Sequence, residues 1–69
     1  MKTPVKVRGI PKLRILRQRR GLSLGQLAIL TGMRRDTITQ LENGRADPQP
    51  YHLRLLARIL EVPTLDLVS

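Results

Sequence analysis

Several polar side chains near the middle of the chain have the types and spacing that contacts with nucleic-acid bases require. Arginine can donate two hydrogen bonds to guanine, aspartate can accept one from cytosine, glutamine can bond to adenine, and the threonine methyl can contact thymine. Helical residues are rotated by about 100° each, so residues 35, 36, 39, 40 and 43 would share a polar arc of roughly 140° on a helix. The candidate base-contacting residues are Arg34, Arg35, Asp36, Thr39 and Gln40.

Simpler roles remain open for several of these residues. Asp36 would lie in the first turn of the helix, where a negative charge stabilises the helix dipole without any ligand. Thr39 and Gln40 can be solvated surface residues. The polar arc alone therefore indicates a possible reading surface and does not establish one.

The segment 23–44 predicts two short helices joined by a tight turn. Ser23 and Gln26 have the spacing of a capping box, which predicts a helix from about Leu24. Gly32 can adopt the left-handed conformation that ends a helix. The expected buried side chains of this helix are Leu27, Ala28 and Leu30, with Met33 turning into the core after it.

The second of these helices is predicted to begin near Arg35 and to end at Asn43-Gly44. Its apolar residues Ile38 and Leu41 lie opposite the polar arc and should face the core. Arg34 occupies the position before the helix, where its side chain cannot accept a capping hydrogen bond.

Three further helices are expected around this pair, which makes an all-α bundle of about five short helices. One runs from Pro11 to Arg20 with Leu13 and Leu16 inward, and Gly21 ends it. The next runs from Pro50 to Leu60 and is broken by Pro63, and the last turn covers Thr64 to Val68. The inward residues of the fourth helix are expected to be Leu53, Leu56, Ala57 and Leu60.

The pattern LRxxRGLSxxQLAxxTGMxxxTIxxLENG, followed by Pro48 and LLARILEV, resembles the Cro and phage-repressor type of helix-turn-helix domain, also called the XRE type. The resemblance extends from about Leu13 to Val68. It implies a lambda-repressor-like DNA-binding domain in which the helix from about Arg35 lies in the major groove. It also implies phosphate contacts at helix ends, for which the candidates are Ser23, Gln26, Asn43 and Arg45, although capping explains the first two on its own.

Arg17 and Glu42 are assigned to structure. Arg17 borders the buried stripe of the first helix, and Glu42 lies at the edge of the apolar face of the third. The resemblance implies a partly buried ion pair between them that fixes the two helices. The alternative is two exposed charges worth under about 1 kcal/mol.

Positive charge is concentrated at the N-terminus. Residues 1–20 carry eight basic side chains and no acidic one, whereas residues 21–69 carry five of each, so the net charge of +8 belongs to the first segment. Such asymmetry suits a polyanion, although a solvated basic face is the simpler interpretation. Residues 1–9 are interpreted as a basic arm or short strand preceding the domain at 10–69, and the candidate phosphate contacts in it are Lys2, Lys6 and Arg8.

Composition excludes several classes of protein. Without cysteine there is no disulfide framework or thiolate metal site, and His52 is the only histidine, so we expect no metal and no cofactor. No catalytic constellation is present, and an enzyme is not expected. Apolar stretches are too short to span a membrane, and no signal peptide is evident, so a cytoplasmic, nucleoid-associated protein is expected.

The favoured hypothesis is a sequence-specific binder of duplex DNA that regulates transcription, most simply a repressor, acting as a homodimer on a palindromic operator. The dimer would form through Leu65, Leu67 and Val68 or through a strand at 5–8. The alternative is an antitoxin-type protein-interaction module that binds a toxin and uses DNA only for autoregulation. A non-specific binder of RNA or DNA is disfavoured by the absence of stacking aromatic residues.

Overall fold

The computed structural model describes residues 9–68, and the expectations for Lys2, Lys6, Arg8 and a strand at 5–8 lie outside this range. The described residues form helices and no strand. The helices are α1 (Leu13–Arg19), α2 (Leu24–Thr31), α3 (Arg35–Glu42), α4 (Pro50–Leu60) and α5 (Thr64–Val68). Helix α2 packs on α3 and α4, α1 packs on α3, and α5 packs on α4. The expected all-α class and the number of helices are confirmed.

Helix α2 begins and ends as its capping residues predict. The Ser23 hydroxyl accepts a hydrogen bond from the Gln26 backbone N–H at 3.0 Å, and Gln26 Oε1 accepts one from the Ser23 backbone N–H at 2.7 Å. This reciprocal pair satisfies two backbone donors that a helix start leaves without partners. At the other end Gly32 has φ +73°, the left-handed conformation that stops the helix.

Helix α3 has no side-chain cap at its N-terminus, and a backbone turn caps its C-terminus. Arg34 has extended backbone angles and makes no capping hydrogen bond with its side chain, as its chemistry predicts. At the other end the backbone N–H of Arg45 donates to the carbonyl of Gln40 at 2.8 Å, with Gly44 at φ +72° between them. This is the hydrogen bond of a Schellman turn, which holds the end of the helix.

Helix α1 begins two residues later than Pro11, where it was expected. Pro11 and Lys12 form a turn instead. The backbone N–H of Ile10 donates to the carbonyl of Leu41 at 2.9 Å, and Leu13 N–H donates to the Ile10 carbonyl at 3.1 Å. The segment before α1 is therefore hydrogen-bonded to the end of α3, and the chain must turn at Pro11 and Lys12 before α1 begins.

Gly9 is required where the chain meets α3. Its φ is +77°, and a Cβ atom there would clash with the carbonyl oxygen of Leu41 and with the backbone of Gly44. A glycine has no Cβ and tolerates both the conformation and the close approach. Gly9 and Ile10 are therefore buried against the end of α3.

One continuous core joins all five helices. Its fully buried side chains are Ile10, Leu13, Leu27, Ile38, Leu41, Leu56 and Leu67. Burial of Ile38 and Leu41 confirms the predicted orientation of α3, and the partly buried Met33 packs against the core as expected. The summed burial of apolar surface is the main favourable term in folding.

Two apolar side chains lie differently from the predictions. Leu30 is 53% exposed, and Thr31 is buried in α2 instead. The Thr31 hydroxyl donates to the carbonyl of Leu27 at 2.8 Å, so its polar atom is satisfied inside the protein. Leu67, expected at a dimer interface, is fully buried, because α5 packs this side against the core and leaves Leu65 and Val68 on its exposed side.

The predicted Arg17–Glu42 pair is confirmed and is largely buried. Arg17 Nε lies 2.6 Å from Glu42 Oε2, and the two side chains are 10% and 3% exposed. Arg17 Nη1 also donates to the carbonyl of Leu22 at 2.8 Å, and Arg14 Nε lies 3.4 Å from Glu42 Oε1. One glutamate thus joins α3 to α1, and through Arg17 to the entry of α2.

Replacing Glu42 by glutamine should destabilise the fold. The change leaves the Arg17 guanidinium buried beside a neutral group, and breaking a buried ion pair costs about 3 kcal/mol or more. For a domain of this size, a loss of about 3 kcal/mol lowers Tm by roughly 12 to 24 °C. Thermal unfolding followed by circular dichroism would measure it.

Glu61 provides the matched control for this measurement. Its carboxylate lies 3.2 Å from Arg20 Nη1, but the two side chains are 69% and 44% exposed. Glu61→Gln should therefore change stability by less than about 0.5 kcal/mol, as surface substitutions usually do. Equal melting temperatures for the two variants would show that the Arg17–Glu42 pair does not hold the helices together.

Candidate nucleic-acid interface

Helix α3 presents an exposed polar face opposite its buried apolar one. Arg35, Asp36 and Gln40 are exposed, whereas Ile38 and Leu41 are fully buried. The core therefore fixes the rotation of α3 about its axis, and this rotation points the three polar side chains to solvent. The structure places them on one continuous surface, as their spacing predicts.

Thr39 lies at the edge of the same face and is partly buried. Its hydroxyl donates to the carbonyl of Arg35 at 3.1 Å, inside its own helix. With the hydroxyl engaged there, the methyl group is the part of Thr39 that remains for an apolar contact. This arrangement suits contact with a thymine methyl.

Arg34 is exposed at the N-cap of α3, immediately before the first helical residue. A side chain at this position projects from the end of the helix rather than from its side. Arg34 and Arg35 thus put two positive charges next to the N-terminus of α3. Asp36, in the first turn, is the only acidic residue there.

The N-terminus of α2 holds Ser23 and Gln26, which are exposed and bonded to each other. Capping is therefore established for both residues. Because Gln26 uses its carbonyl oxygen in the cap, its NH₂ group is the part that remains as a possible donor to a phosphate.

The C-terminal end of α3 carries Asn43 and Arg45, both exposed. The Asn43 side-chain carbonyl accepts a hydrogen bond from Arg14 Nη2 at 2.7 Å. This bond directs the NH₂ group of Asn43 away from Arg14 and ties the residue to α1. The sequence analysis did not predict that Arg14 holds Asn43, because nothing in the spacing of Arg14 distinguishes it from the other exposed arginine of α1.

No alternative chemistry is found in the described part of the chain. Among residues 9–68, no three His, Asp or Glu side chains converge in the way that would hold a metal ion. Every helix in this range is also too short or too polar to cross a lipid bilayer.

Two shallow grooves beside α4 contain polar residues that the sequence analysis did not single out. One, of about 230 Å³, separates the α2–α3 turn from α4, and the other, of about 290 Å³, follows α4. They share Tyr51 and Leu55. The spacing of residues 51, 54, 55 and 58 could have predicted this shared surface, because these positions fall on one side of a helix.

His52 has a structural role in the first of these grooves. The backbone N–H of Gln49, the N-cap residue of α4, donates to His52 Nδ1 at 3.0 Å. His52, in the first turn, thus caps the N-terminus of this helix. Only an unprotonated Nδ1 can accept this bond. Burial also lowers the pKa of His52 below the 6.5 of an unperturbed histidine, because the charged form loses its hydration.

A sequence profile of the helix-turn-helix domain matches residues 12–68, which include all five helices. The chain belongs to this family. The resemblance to the Cro and phage-repressor type is confirmed, with α2 and α3 as the helix-turn-helix and α3 in the place of the recognition helix. Arg35, Asp36 and Gln40 therefore lie on the helix that this family presents to DNA.

Relatives include two proteins of Bacillus subtilis (strain 168). The uncharacterized HTH-type transcriptional regulator RghRB is 41% identical over 59 residues, which are 84% of this chain and 42% of that protein. The HTH-type transcriptional repressor RghR is 40% identical over 53 residues, which are 75% of this chain and 39% of that protein. The chain thus spans about two fifths of the length of these relatives.

Solved structures share the fold over most of the chain. The restriction-modification controller protein C.AhdI from Aeromonas hydrophila matches with a TM-score of 0.77 and 32% identity. The match covers 81% of this chain and 85% of that one. The fold is therefore shared with this controller protein over most of the chain.

Acidification should weaken the helix-turn-helix fold through His52. Since its pKa is lower in the folded than in the unfolded chain, its contribution to stability is complete above about pH 6.5. That contribution is lost as the pH falls below this value towards the folded-state pKa, because the unfolded chain binds the proton more readily. Melting curves between pH 5 and 8 would show a decline in Tm for the wild type.

The control is His52→Gln, which has no titratable group and keeps a carbonyl oxygen that can accept a hydrogen bond. The difference in Tm between wild type and variant should shrink as the pH falls below 6.5. A difference that stays constant from pH 8 to pH 5 would contradict the assignment of a neutral, buried His52.

Proposed function

We propose that this chain is a sequence-specific DNA-binding regulator of transcription that reads the major groove with α3. The observation that carries the proposal is the exposed polar face of Arg35, Asp36 and Gln40, held in one rotation by buried Ile38 and Leu41. The relatives named as a transcriptional regulator and a transcriptional repressor support the same role. Repression is the simplest form, since a bound domain can block access to a promoter.

Each side chain of the face has a distinct part in the proposal. Arg35 donates to guanine O6 and N7, Asp36 accepts from cytosine N4, and Gln40 pairs with adenine N6 and N7. Thr39 contacts a thymine methyl. Arg34 supplies a further arginine contact at the edge of the reading surface.

Phosphate contacts are proposed to position the reading helix without specifying sequence. The N-terminus of α2 contributes through Ser23 and Gln26, and the end of α3 through Asn43 and Arg45. The basic residues before the described range, Lys2, Lys6 and Arg8, add contacts to phosphate or the minor groove. The role needs no cofactor and no catalysis, and it places the protein with the nucleoid in the cytoplasm.

A protein-interaction role, such as that of an antitoxin bound to a toxin, is the second candidate. It is favoured by Ile29 and Leu30, which are 82% and 53% exposed on adjacent positions of α2. Selection of bound sites from random duplexes separates the two roles. An enriched palindrome supports the regulator, and a lack of enrichment together with a tight protein partner supports the antitoxin.

Replacing Arg35 by alanine should weaken binding to the selected site by about 1 to 3 kcal/mol and relax preference at one position in each half-site. The fold should survive, because Arg35 is exposed and makes no core contact. Affinity for selected and scrambled duplexes, measured across a salt series, tests this. An equal loss on both duplexes would mean that Arg35 contacts phosphate and does not read a base.

We further propose that two copies bind a palindromic site together. A single recognition helix touches few base pairs, and paired helices about 34 Å apart would dock in successive major grooves. The exposed apolar residues Leu65 and Val68, at 68% and 45% exposure, form the proposed contact. The exposed Ile15 of α1 lies near α5, because Ile15 and Asp66 of α5 line the same groove of about 280 Å³.

Replacing Leu65 and Val68 together by serine should abolish dimerisation and leave the monomer folded, since neither side chain belongs to the core. Sedimentation velocity on the free protein and on an operator duplex would measure it. Ile29→Ser is the control, because Ile29 is also an exposed apolar residue but lies on α2. The interface would lie elsewhere if the double variant remains dimeric, and deletion of residues 1–8 would then test the N-terminal alternative.

A further inference from the structure

The arginines of the chain differ in whether an acid neutralises them. Arg17, Arg14 and Arg20, all from the N-terminal segment, lie beside Glu42 or Glu61. By contrast, the exposed residues Arg34, Arg54 and Arg58 make no ion pair and no side-chain hydrogen bond with any other residue of the range 9–68. Their charges are available to a ligand.

These three arginines line the two adjacent grooves beside α4, which we together call the α4 groove. Its lining residues are Thr31, Gly32, Met33, Arg34, Thr37, Tyr51, His52, Arg54, Leu55 and Arg58. None of them is acidic. Arg54 and Arg58 are one helical turn apart, and like charges at this spacing destabilise a helix unless an anion compensates them.

A second copy of this chain is a poor occupant of the α4 groove. In a symmetric dimer the same patch must face itself, so Arg54 and Arg58 would approach their own counterparts. The apolar part of the groove is small and is flanked by guanidinium groups. The occupant must therefore bring negative charge.

The α4 groove borders the start of α3. Arg34, at its edge, is the residue that precedes the first turn of α3, and Thr37 lines the groove from α3 itself. A DNA strand that passes the N-terminus of α3 would therefore meet Arg34 first. Arg54 and Arg58, one turn apart on α4, line the adjacent part of the groove.

We propose that the α4 groove binds the phosphate backbone of the DNA strand that borders the major groove occupied by α3. This inference rests on the proposed function and extends it, because it assigns Arg54 and Arg58 to DNA binding. Their contacts supply affinity and orientation but no base preference.

The test compares wild type with Arg54→Gln, Arg58→Gln and the double variant on the selected duplex and on a scrambled one. Glutamine preserves helix propensity, so the fold should be retained, which melting curves verify. Arg20→Gln is the control, because it removes the same unit charge from a side chain already paired with Glu61. Equilibrium binding is measured from 50 to 200 mM salt, and ethylation of individual phosphates shows which of them the protein contacts.

Each lost phosphate contact should reduce the slope of log affinity against log salt by about 0.9. The advantage of the wild type over a variant that lacks one contact should then shrink by about 3.5-fold between 50 and 200 mM salt. The double variant should lose ethylation interference at specific phosphates, with base preference unchanged. Arg20→Gln should keep the wild-type slope and interference pattern.

Two other outcomes would overturn the inference and are distinguishable from each other. If Arg35→Ala relaxes base preference but the double variant keeps the wild-type slope and interference pattern, the proposed function stands and the groove serves another anion, such as an acidic protein segment. If the wild type shows neither an enriched site nor interference at any phosphate, the proposed function itself fails, and the assignment of the α4 groove fails with it.

Discussion

The buried ion pair between Arg17 and Glu42 is the interaction on which the position of α3 depends. The polar half of α3 is exposed, so the helix can be held only from its buried face and from its C-terminal end. Glu42 provides the hold at that end, through Arg17 from α1 and with Arg14 beside it. Such a pair is costly to bury unless every polar atom finds a partner, and no buried side-chain nitrogen or oxygen in the described range lacks one.

Folding brings acidic residues from later in the chain next to the basic residues that are concentrated in the N-terminal segment. Three of the arginines in residues 1–20 lie beside acidic residues that come later in the chain. Part of the basic excess of the first segment is therefore structural. Among the described residues, exposed arginines without an ion pair also lie at the start of α3 and along α4, where the linear count showed a balance of positive and negative charge.

Local chemistry made much of the fold predictable. The capping box of Ser23 and Gln26, the left-handed Gly32 and the proline at the start of α4 each act within one turn of the chain. The rotation of α3 could also be predicted, because Ile38 and Leu41 leave a single apolar side. The exposed positions of Arg35, Asp36 and Gln40 follow from that rotation.

Features that depend on packing between helices could not be predicted. Leu27 with Leu30 and Leu27 with Thr31 are equally good helical pairs, and only the packing of α2 on α3 and α4 determines that Thr31 faces inward, where its hydroxyl donates to the Leu27 carbonyl. Helix α5 is a single turn with no periodicity, so only its packing on α4 determines that Leu67 faces inward. The bond from Arg14 to Asn43 and the groove beside α4 likewise require the three-dimensional arrangement.

Gly9 gives the N-terminal segment a defined point of attachment. Because it is wedged against Leu41 and Gly44, the covalent origin of residues 1–8 lies at the C-terminal end of the reading helix. Eight residues can reach at most about 29 Å from that point, which is less than one turn of duplex DNA, about 34 Å. Any nucleic-acid contact made by Lys2, Lys6 or Arg8 is therefore intramolecular once α3 is docked. It occurs at a high effective concentration and is confined to the stretch of DNA beside the end of α3.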